Sequence, residues 1–170
     1  MTSCYPNWQS QNYTHMFDIP DLRGPLPKEV LSPGSLADII DKTPELSAFN
    51  FILRRSGFLP RYNELQANFT LFLPSDAYIK DVNFIKNMDI GTAISIVRNC
   101  TVDNIITKDV IQENPYFEII THNDPNNLSL QTISGITQIC PHINFVKYNI
   151  RAKNGMIHIV DKLIVPDVIV

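Results

Sequence analysis

The polar residues that could do chemistry are scattered along the chain, and they form no complete catalytic group. Ser75 and Asp76 are adjacent and could act as a nucleophile and an acid, but no base stands near them in the sequence. We expect both side chains instead to accept hydrogen bonds from backbone N–H groups two or three residues ahead, as a helix cap. The sequence also lacks a glycine-rich phosphate loop, a Gly-x-Ser-x-Gly elbow and a His-Glu-x-x-His motif. We therefore predict no catalytic residue and no enzymatic activity.

The cysteines are the next candidates for chemistry. Cys4, Cys100 and Cys140 make an odd count, which is a poor disulfide framework. A Cys100–Cys140 bridge with Cys4 left over is one alternative; three reduced thiols, two of them buried as small apolar side chains, is the simpler one. Cys100 with a distant histidine could also form a thiol–imidazole pair, but a lone cysteine is weak support for that activity.

Two short segments contain residues that can bind metals. Cys140-Pro141-His142 is one of them, and His122 with Asp124 is the other. Neither matches the ligand spacing of a zinc site, and no second ligand pair stands beside them. We expect solvated loop residues at both places, with no metal and no cofactor.

A histidine and an aspartate interrupt the most apolar segment of the chain, Met156–Val165. By strict alternation His158 shares a face with Met156 and Val160, where a histidine usually has a structural role. We expect one of its ring nitrogens to donate to a backbone carbonyl or a carboxylate. Asp161 falls on the opposite face, so it should be paired or should cap a backbone turn.

Composition excludes several classes of protein. The chain has 170 residues, a net charge of −3 and 18% charged residues, which argues against a nucleic-acid-binding domain. No apolar run approaches the roughly 18–20 residues of a membrane span. Arg54, Arg55 and Arg61 form the single local basic cluster. We interpret this cluster as a helix end plus solvated surface, with an anionic partner as the weaker alternative.

Signals of cellular location are weak and point in two directions. The first ten residues, MTSCYPNWQS, show no targeting signal, so we expect either an internal protein or one from which a leader was removed. Four Asn-x-Ser/Thr sequons favour secretion slightly, and three of them, at Asn68, Asn99 and Asn127, are candidate glycosylation sites; the fourth is at Asn12.

The chain divides into an extension and a domain. Residues 1–33 contain scattered prolines without periodicity, which indicates an irregular segment that Trp8, Phe17 and Leu22 could attach to the domain surface. Residues 34–170 then form one domain. Its first half is predicted to be mainly helical, with helices near 35–40, over 44–56, 81–88 and 90–98, and in a turn from Thr107 to Ile111. Ser35, Thr43 and Thr107 are the predicted caps, and Gly57 is the predicted end of the second helix.

The second half of the domain favours strands. After a short strand over Phe69–Leu73 that ends at Pro74, the apolar alternation resumes in the C-terminal third. The predicted strands there are Tyr116–Thr121, Asn127–Ile133, Ile136–Cys140, Ile143–Tyr148 and Met156–Val165. Ser134-Gly135 and Asn154-Gly155 are the predicted hairpin turns. Helices followed by an antiparallel meander indicate an α+β fold.

Two blocks of sequence resemble the fasciclin domain family, which is known from cell-adhesion and extracellular-matrix proteins. The first block is Phe69–Tyr78, a strand followed by Pro, Ser, an acidic residue, Ala and an aromatic. The second is Asn154–Pro166, an Asn-Gly turn, a strand that contains His and Asp, and a terminal Pro. The motif residues, to which the resemblance gives structural roles, are Pro74, Ser75, Asp76, Asn154, Gly155, His158 and Asp161.

The resemblance implies a fold and a function. The expected fold is a β-wedge of two antiparallel sheets, with a helical flank formed mainly by the N-terminal half. The expected function is a non-enzymatic binding or adhesion module for a protein or glycan partner, outside the cell or on its surface if a leader was removed. The alternative is an intracellular or virion-associated structural protein that keeps the fold without adhesion. It is favoured by the absent leader, the odd cysteine count and an Asn- and Ile-rich composition typical of AT-rich genomes.

The chain departs from the family pattern at two positions that matter for binding. Some animal members bind integrins near a Tyr-His pair after the central helix, where this sequence has Asn99 and Cys100. Others use an Asp-Ile pair, where this sequence has Asn149 and Ile150. Because an acidic residue that could reach a receptor's metal ion is missing from both places, we do not expect integrin-type binding.

Overall fold

The computed structural model describes residues 30–123, 127–139 and 142–165. In this part of the chain the fold is α+β, as predicted, and its helices all precede residue 114. The α-helices are α1 (Leu36–Lys42), α2 (Ser47–Ser56), α3 (Leu59–Asn63), α4 (Val82–Lys86), α5 (Ile90–Asn99) and α6 (Lys108–Glu113), and 3₁₀ helices cover Pro44–Leu46 and Asp76–Tyr78. Trp8, Phe17 and Leu22, with most of the predicted extension, lie outside the described residues.

Side-chain caps start most of the helices. Ser35 caps α1 by accepting a hydrogen bond from the Asp38 N–H (3.1 Å), as its spacing predicted. Asp81 and Asp89 cap α4 and α5 in the same way, and Thr107 caps α6. The short helix α3 was not predicted, because it carries little periodicity and has a proline, Pro60, as its second residue.

The predicted helix over 44–56 is divided into a 3₁₀ turn and α2. Thr43 does not cap it, because the Thr43 hydroxyl turns back and donates to the Ile39 carbonyl (2.6 Å). Gly57 ends α2 as predicted, in the left-handed conformation with φ of 82°. The N-terminus of α2 is capped from another part of the chain, as described below.

The seven strands form one mixed sheet. They are β1 (Phe69–Pro74), β2 (Thr101–Asp103), β3 (Tyr116–Ile120), β4 (Asn127–Ile133), β5 (Ile136–Ile139), β6 (Ile143–Ala152) and β7 (Gly155–Val160). Their order is β2-β1-β7-β6-β5-β4-β3. The predicted division into two antiparallel sheets is not confirmed, because the β1–β7 pair is parallel and joins the first strand to the last. An isolated bridge between Val102 and Thr121 also connects β2 to the end of β3.

The two longest disagreements with the predicted strand bounds are in β6 and β7, and one short strand was not predicted. β7 ends at Val160 rather than Val165, and β6 continues to Ala152 through two irregularities in its pairing with β7. β2 was not predicted, because a three-residue strand leaves no periodicity. The Ser134-Gly135 turn is confirmed, with φ of 54° and 79° between the paired residues Ile133 and Ile136.

The core lies between the helices and the sheet segment formed by β1 and β7. All six residues of β7 are buried, as expected for a strand covered on both faces. Its Ile157 and Ile159 belong to the same apolar cluster as Phe49, Ile52 and Phe72. The motif residues Pro74, Gly155 and His158 are therefore carried on two buried, paired strands.

Candidate functional site

The first motif block joins β1 to helix α2. β1 ends at Pro74, and Ser75 accepts a hydrogen bond from the Ala77 N–H (3.4 Å), the local cap that its position predicted. Asp76 differs from the prediction, because its carboxylate reaches back to α2 instead of capping its own turn. It accepts from the Ala48 N–H (2.9 Å) and from the Ser47 hydroxyl. Ser75 and Asp76 therefore each cap the start of a helix, and they do not form a nucleophile–acid pair.

Asn154 is the hydrogen-bonding centre of the second block. It is 1% exposed, and its side-chain oxygen accepts from the Leu36 N–H at the start of α1 (2.7 Å). Its side-chain nitrogen donates to the carbonyls of Tyr62 and Glu64 (2.9 Å each). One amide thus holds α1, the end of α3 and the β6–β7 hairpin together.

The Asn154-Gly155 prediction of a hairpin turn is wrong by one residue. Ala152 pairs with Gly155, so the turn residues are Lys153 and Asn154, and Gly155 is the first residue of β7. Lys153 and Asn154 both have a negative φ, so this turn is not the type that an Asn-Gly pair usually indicates. Glycine is required for space: a Cβ at this position would lie 2.4 Å from the backbone oxygen of Phe69.

His158 is fully buried and uses both ring nitrogens. Nε2 lies 2.7 Å from the Ile106 carbonyl, to which it donates, and Nδ1 accepts from the Asn149 N–H (3.1 Å). The rings of Phe72, Phe145 and Tyr148 surround it. Burial lowers the pKa of His158, and the bond to the Ile106 carbonyl offsets part of that effect. The imidazole is therefore a neutral connector between β7, the bulge of β6 and the loop before α6.

Asp161 lies directly after β7 and binds one residue of β6. Its two carboxylate oxygens accept from the backbone N–H and the side-chain amide of Asn144, both at 2.9 Å. Partial burial raises the pKa of Asp161, but the bonds from Asn144 outweigh that effect and hold the pKa below its usual value. This carboxylate closes the β6–β7 pair at the end opposite to Asn154.

The two positions matched to family binding sites have opposite exposure. Asn99 and Cys100, at the end of α5, are 5% and 0% exposed, so a partner cannot reach them. Asn149 is exposed on the β6 bulge with φ of 61°, and its side-chain oxygen accepts from the Lys108 N–H (3.0 Å). That position is presented to a partner, but with an amide in place of a carboxylate.

Burial limits access to one sequon and argues against the reactive-thiol interpretation. The Asn99 side chain is 5% exposed at the end of α5, so a glycan has little access to it in the folded chain, and glycosylation there stays a prediction. Cys100 is a free thiol whose pKa burial raises to about 12, so it is neutral and inaccessible at neutral pH. Asn68 and Asn127 are exposed. Cys4, Cys140 and Asn12 lie outside the described residues.

The metal-capable histidines do not form a cluster. His122 is 2.7 Å from the Asp103 carboxylate and packs edge-on against Phe69, whereas His142 is exposed and its carbonyl accepts from Lys162. Asp124, Cys140 and Pro141 lie outside the described residues. In the part of the chain that is described, no three His, Cys, Asp or Glu side chains stand close enough to hold a metal ion.

The predicted basic cluster is dispersed in the folded chain. Arg54 pairs with Asp41 (3.0 Å), and Arg55 is buried with its guanidinium against the Met88 carbonyl rather than solvated. Arg61 is exposed and lies over the ring of Phe58. Sequence reasoning missed Arg98, which reaches the same ring from α5 and gave no signal because it is distant in sequence.

Comparison with known proteins identifies the domain type. A family model described as the fasciclin domain matches residues 44–166. Among solved structures, the chain is similar to a FAS1 domain pair from the insect cell adhesion molecule fasciclin I, with a TM-score of 0.63 and 18% identity. The match covers 79% of this chain and 52% of that one, so this chain spans about half of the solved pair. No curated protein matches the chain.

Proposed function

The chain belongs to the fasciclin domain family, and from that premise we propose that it is a non-enzymatic binding module that makes adhesive contacts with a protein or a glycan. One observation carries the proposal: the polar motif residues are used inside the fold. Asp76, Asn154 and His158 each hydrogen-bond to backbone groups far away in sequence. Side chains held in this way connect elements of structure, so we assign them to the scaffold and not to the chemistry of a substrate.

The surface that remains for a partner contains exposed apolar side chains on the sheet. Tyr116, Ile133 and Ile136 are 58%, 64% and 66% exposed. The pairing of β3, β4 and β5 places them on one face near the Ser134-Gly135 turn, because Ile133 pairs with Ile136 and Tyr116 pairs with Gln131. Exposed apolar residues grouped on a rigid sheet are typical of contact surfaces. No helix in the described part of the chain has the length and apolar character needed to cross a membrane.

Attachment of cells tests the proposed binding function. One surface is coated with the intact chain and a second with the same chain unfolded by heat, at equal density. The number of attached cells, taken from the organism that makes the protein, is compared between the two surfaces. We expect attachment to the folded chain alone. Equal attachment to the two coatings, or attachment no greater than to albumin, contradicts the proposal.

We also propose an extracellular or cell-surface location, which exposed sequons at Asn68 and Asn127 support. Intact-mass spectrometry of protein from its native source, with and without reductant, is the test. Glycan mass on either asparagine supports this location. Bare asparagines and free thiols contradict it, and they favour the intracellular or virion-associated structural alternative.

A further inference from the structure

Two exposed arginines from different helices lie against one aromatic ring. Arg61, in the last turn of α3, has its guanidinium carbon 5.1 Å from the centroid of the Phe58 ring. Arg98, in the last turn of α5, has its guanidinium carbon 5.4 Å from the same centroid. The two guanidinium carbons are therefore no farther apart than the sum of those distances, 10.5 Å. Cation–π contacts of this kind restrict two otherwise mobile side chains.

Three other surface cations are already paired with carboxylates, unlike these two arginines. Lys42 pairs with Asp38, Arg54 with Asp41, and Lys147 lies 3.9 Å from Glu45. Among the described residues, no carboxylate lies within ion-pair distance of either Arg61 or Arg98, and no acceptor takes a hydrogen bond from them. Both guanidiniums thus keep their N–H donors for a ligand, although the chain as a whole carries a net charge of −3.

The chemistry of this pair defines the ligand. A guanidinium binds oxyanions such as sulfate and carboxylate through two parallel N–H donors. Two of them, held on one ring, suit a ligand that carries oxyanions at successive positions along a chain. A nucleic acid has such charges too, and the net charge of −3 weakens the attraction of every polyanion alike, so binding of a DNA oligonucleotide is one outcome of the test below. Sulfated polysaccharides are the polyanions that an adhesion module outside the cell would meet.

We infer that Arg61 and Arg98, positioned by Phe58, form a binding site for a sulfated polysaccharide. This inference rests on the proposed binding function, for which it names a class of partner. The oxyanions bind the two guanidiniums, and the Phe58 ring holds the arginines at a fixed spacing. Long-range attraction is weak because of the net charge, so the local arrangement of the arginines supplies the affinity.

Binding to a heparin octasaccharide, measured by titration calorimetry on the full chain, tests the site. Arg61→Gln and Arg98→Gln should each weaken binding about tenfold. The double variant should also lower the slope of log Kd against log salt by about one per arginine removed. The control is Lys80→Gln with Lys86→Gln, which removes the same charge from two exposed lysines outside the site and should change Kd by less than about twofold. Thermal melts verify that all variants fold.

Phe58→Leu separates positioning of the arginines from their charge. It keeps both guanidiniums but removes the ring, so we expect affinity to fall about threefold to tenfold with the salt slope unchanged. Equal losses of heparin affinity in the lysine control and in the arginine double variant would overturn the proposed site. Polyglutamate or a DNA oligonucleotide that binds as tightly as heparin would overturn it as well. If the wild-type chain attaches cells but does not bind heparin, this inference is wrong while the proposed function stands; loss of both contradicts both.

Discussion

Alanine substitution at three glycines separates close approach of the backbone, at Gly155, from a left-handed backbone, at Gly57, and from a position that needs no glycine, Gly91. We expect the largest effect at Gly155. A Cβ at Gly155 would lie 2.4 Å from the Phe69 carbonyl oxygen and 2.6 Å from Leu36 Cδ1. The leucine side chain can move, but the carbonyl cannot, because Gly155 pairs with Phe69 in β1 and with Ala152 in β6. Relief of the clash requires one of these ladders to shift.

The expected cost of Gly155→Ala is about 3 kcal/mol, at the upper end of the range for overpacked cores. A domain of this size loses about 2–4 °C of Tm for each kcal/mol, so the Tm should fall by about 6–12 °C. Urea denaturation and a thermal melt followed by circular dichroism measure the two quantities.

Two other glycines provide matched controls for the same chemical change. At Gly91, in the exposed first turn of α5, the nearest atom to an added Cβ is Asp89 Oδ1 at 3.7 Å, and φ is ordinary. Gly91→Ala should be neutral or stabilising by up to about 1 kcal/mol. At Gly57 there is open space but φ is +82°, so alanine should cost about 1 kcal/mol through the backbone alone. A Gly155→Ala protein that melts with the wild type, or with Gly57→Ala, would refute the close-approach argument.

Three further predictions follow from the other buried groups. Asp76→Ala removes the cap on the Ala48 N–H and should destabilise the chain by about 1–2 kcal/mol in urea, whereas Asp81→Ala, at the short helix α4, should cost less. The pKa of His158 is lower in the folded chain than its ordinary 6.5, so below that pH the unfolded chain binds a proton that the folded chain does not. The free energy of unfolding should therefore be complete above about pH 6.5 and should fall as the pH drops further, with a weaker pH dependence in His158→Gln. Parallel curves of unfolding free energy against pH for the two proteins would contradict this assignment. Cys100 should resist alkylation in the folded chain at neutral pH and react on unfolding, and labelling at the same rate in both states would show that it is accessible.

Local signals in the sequence predicted much of the fold. Ser35 and Thr107 cap helices as predicted, because the capping bond spans only a few residues and depends on residue type. The Ser134-Gly135 hairpin was equally predictable, because a Ser-Gly pair between two alternating strands indicates a turn. In the structure both residues have the left-handed φ that a two-residue turn requires. The family resemblance added the order of the two motif blocks, which local pattern alone does not provide.

The features that the sequence did not reveal are long-range contacts. Asp76 caps α2 across 28 residues, and this contact decides where the helix starts in place of Thr43. The parallel β1–β7 pair joins segments about 86 residues apart in sequence, so nothing in either strand indicates its direction. Gly155 looked like a turn glycine because Asn-Gly usually is one, whereas the Phe69 carbonyl opposite it sets the requirement.

The candidate binding site was hidden for the same reason. Arg61 belonged to a predicted cluster with Arg54 and Arg55, but the fold gives those two other partners and brings Arg98 to Phe58 instead. A charge cluster read from adjacent residues assumes that neighbours in sequence share a surface. At the end of a helix that assumption fails, because successive residues point in different directions.

Retention of cells on a coated surface measures the proposed binding function itself. The intact chain is coated at a series of densities, and the number of cells retained under a fixed shear is compared with that on heat-unfolded chain. For a binding module, the number of retained cells should rise with the density of folded chain and saturate. Attachment that stays at the level of the unfolded coating at every density would contradict the claim that this fasciclin domain is a binding module.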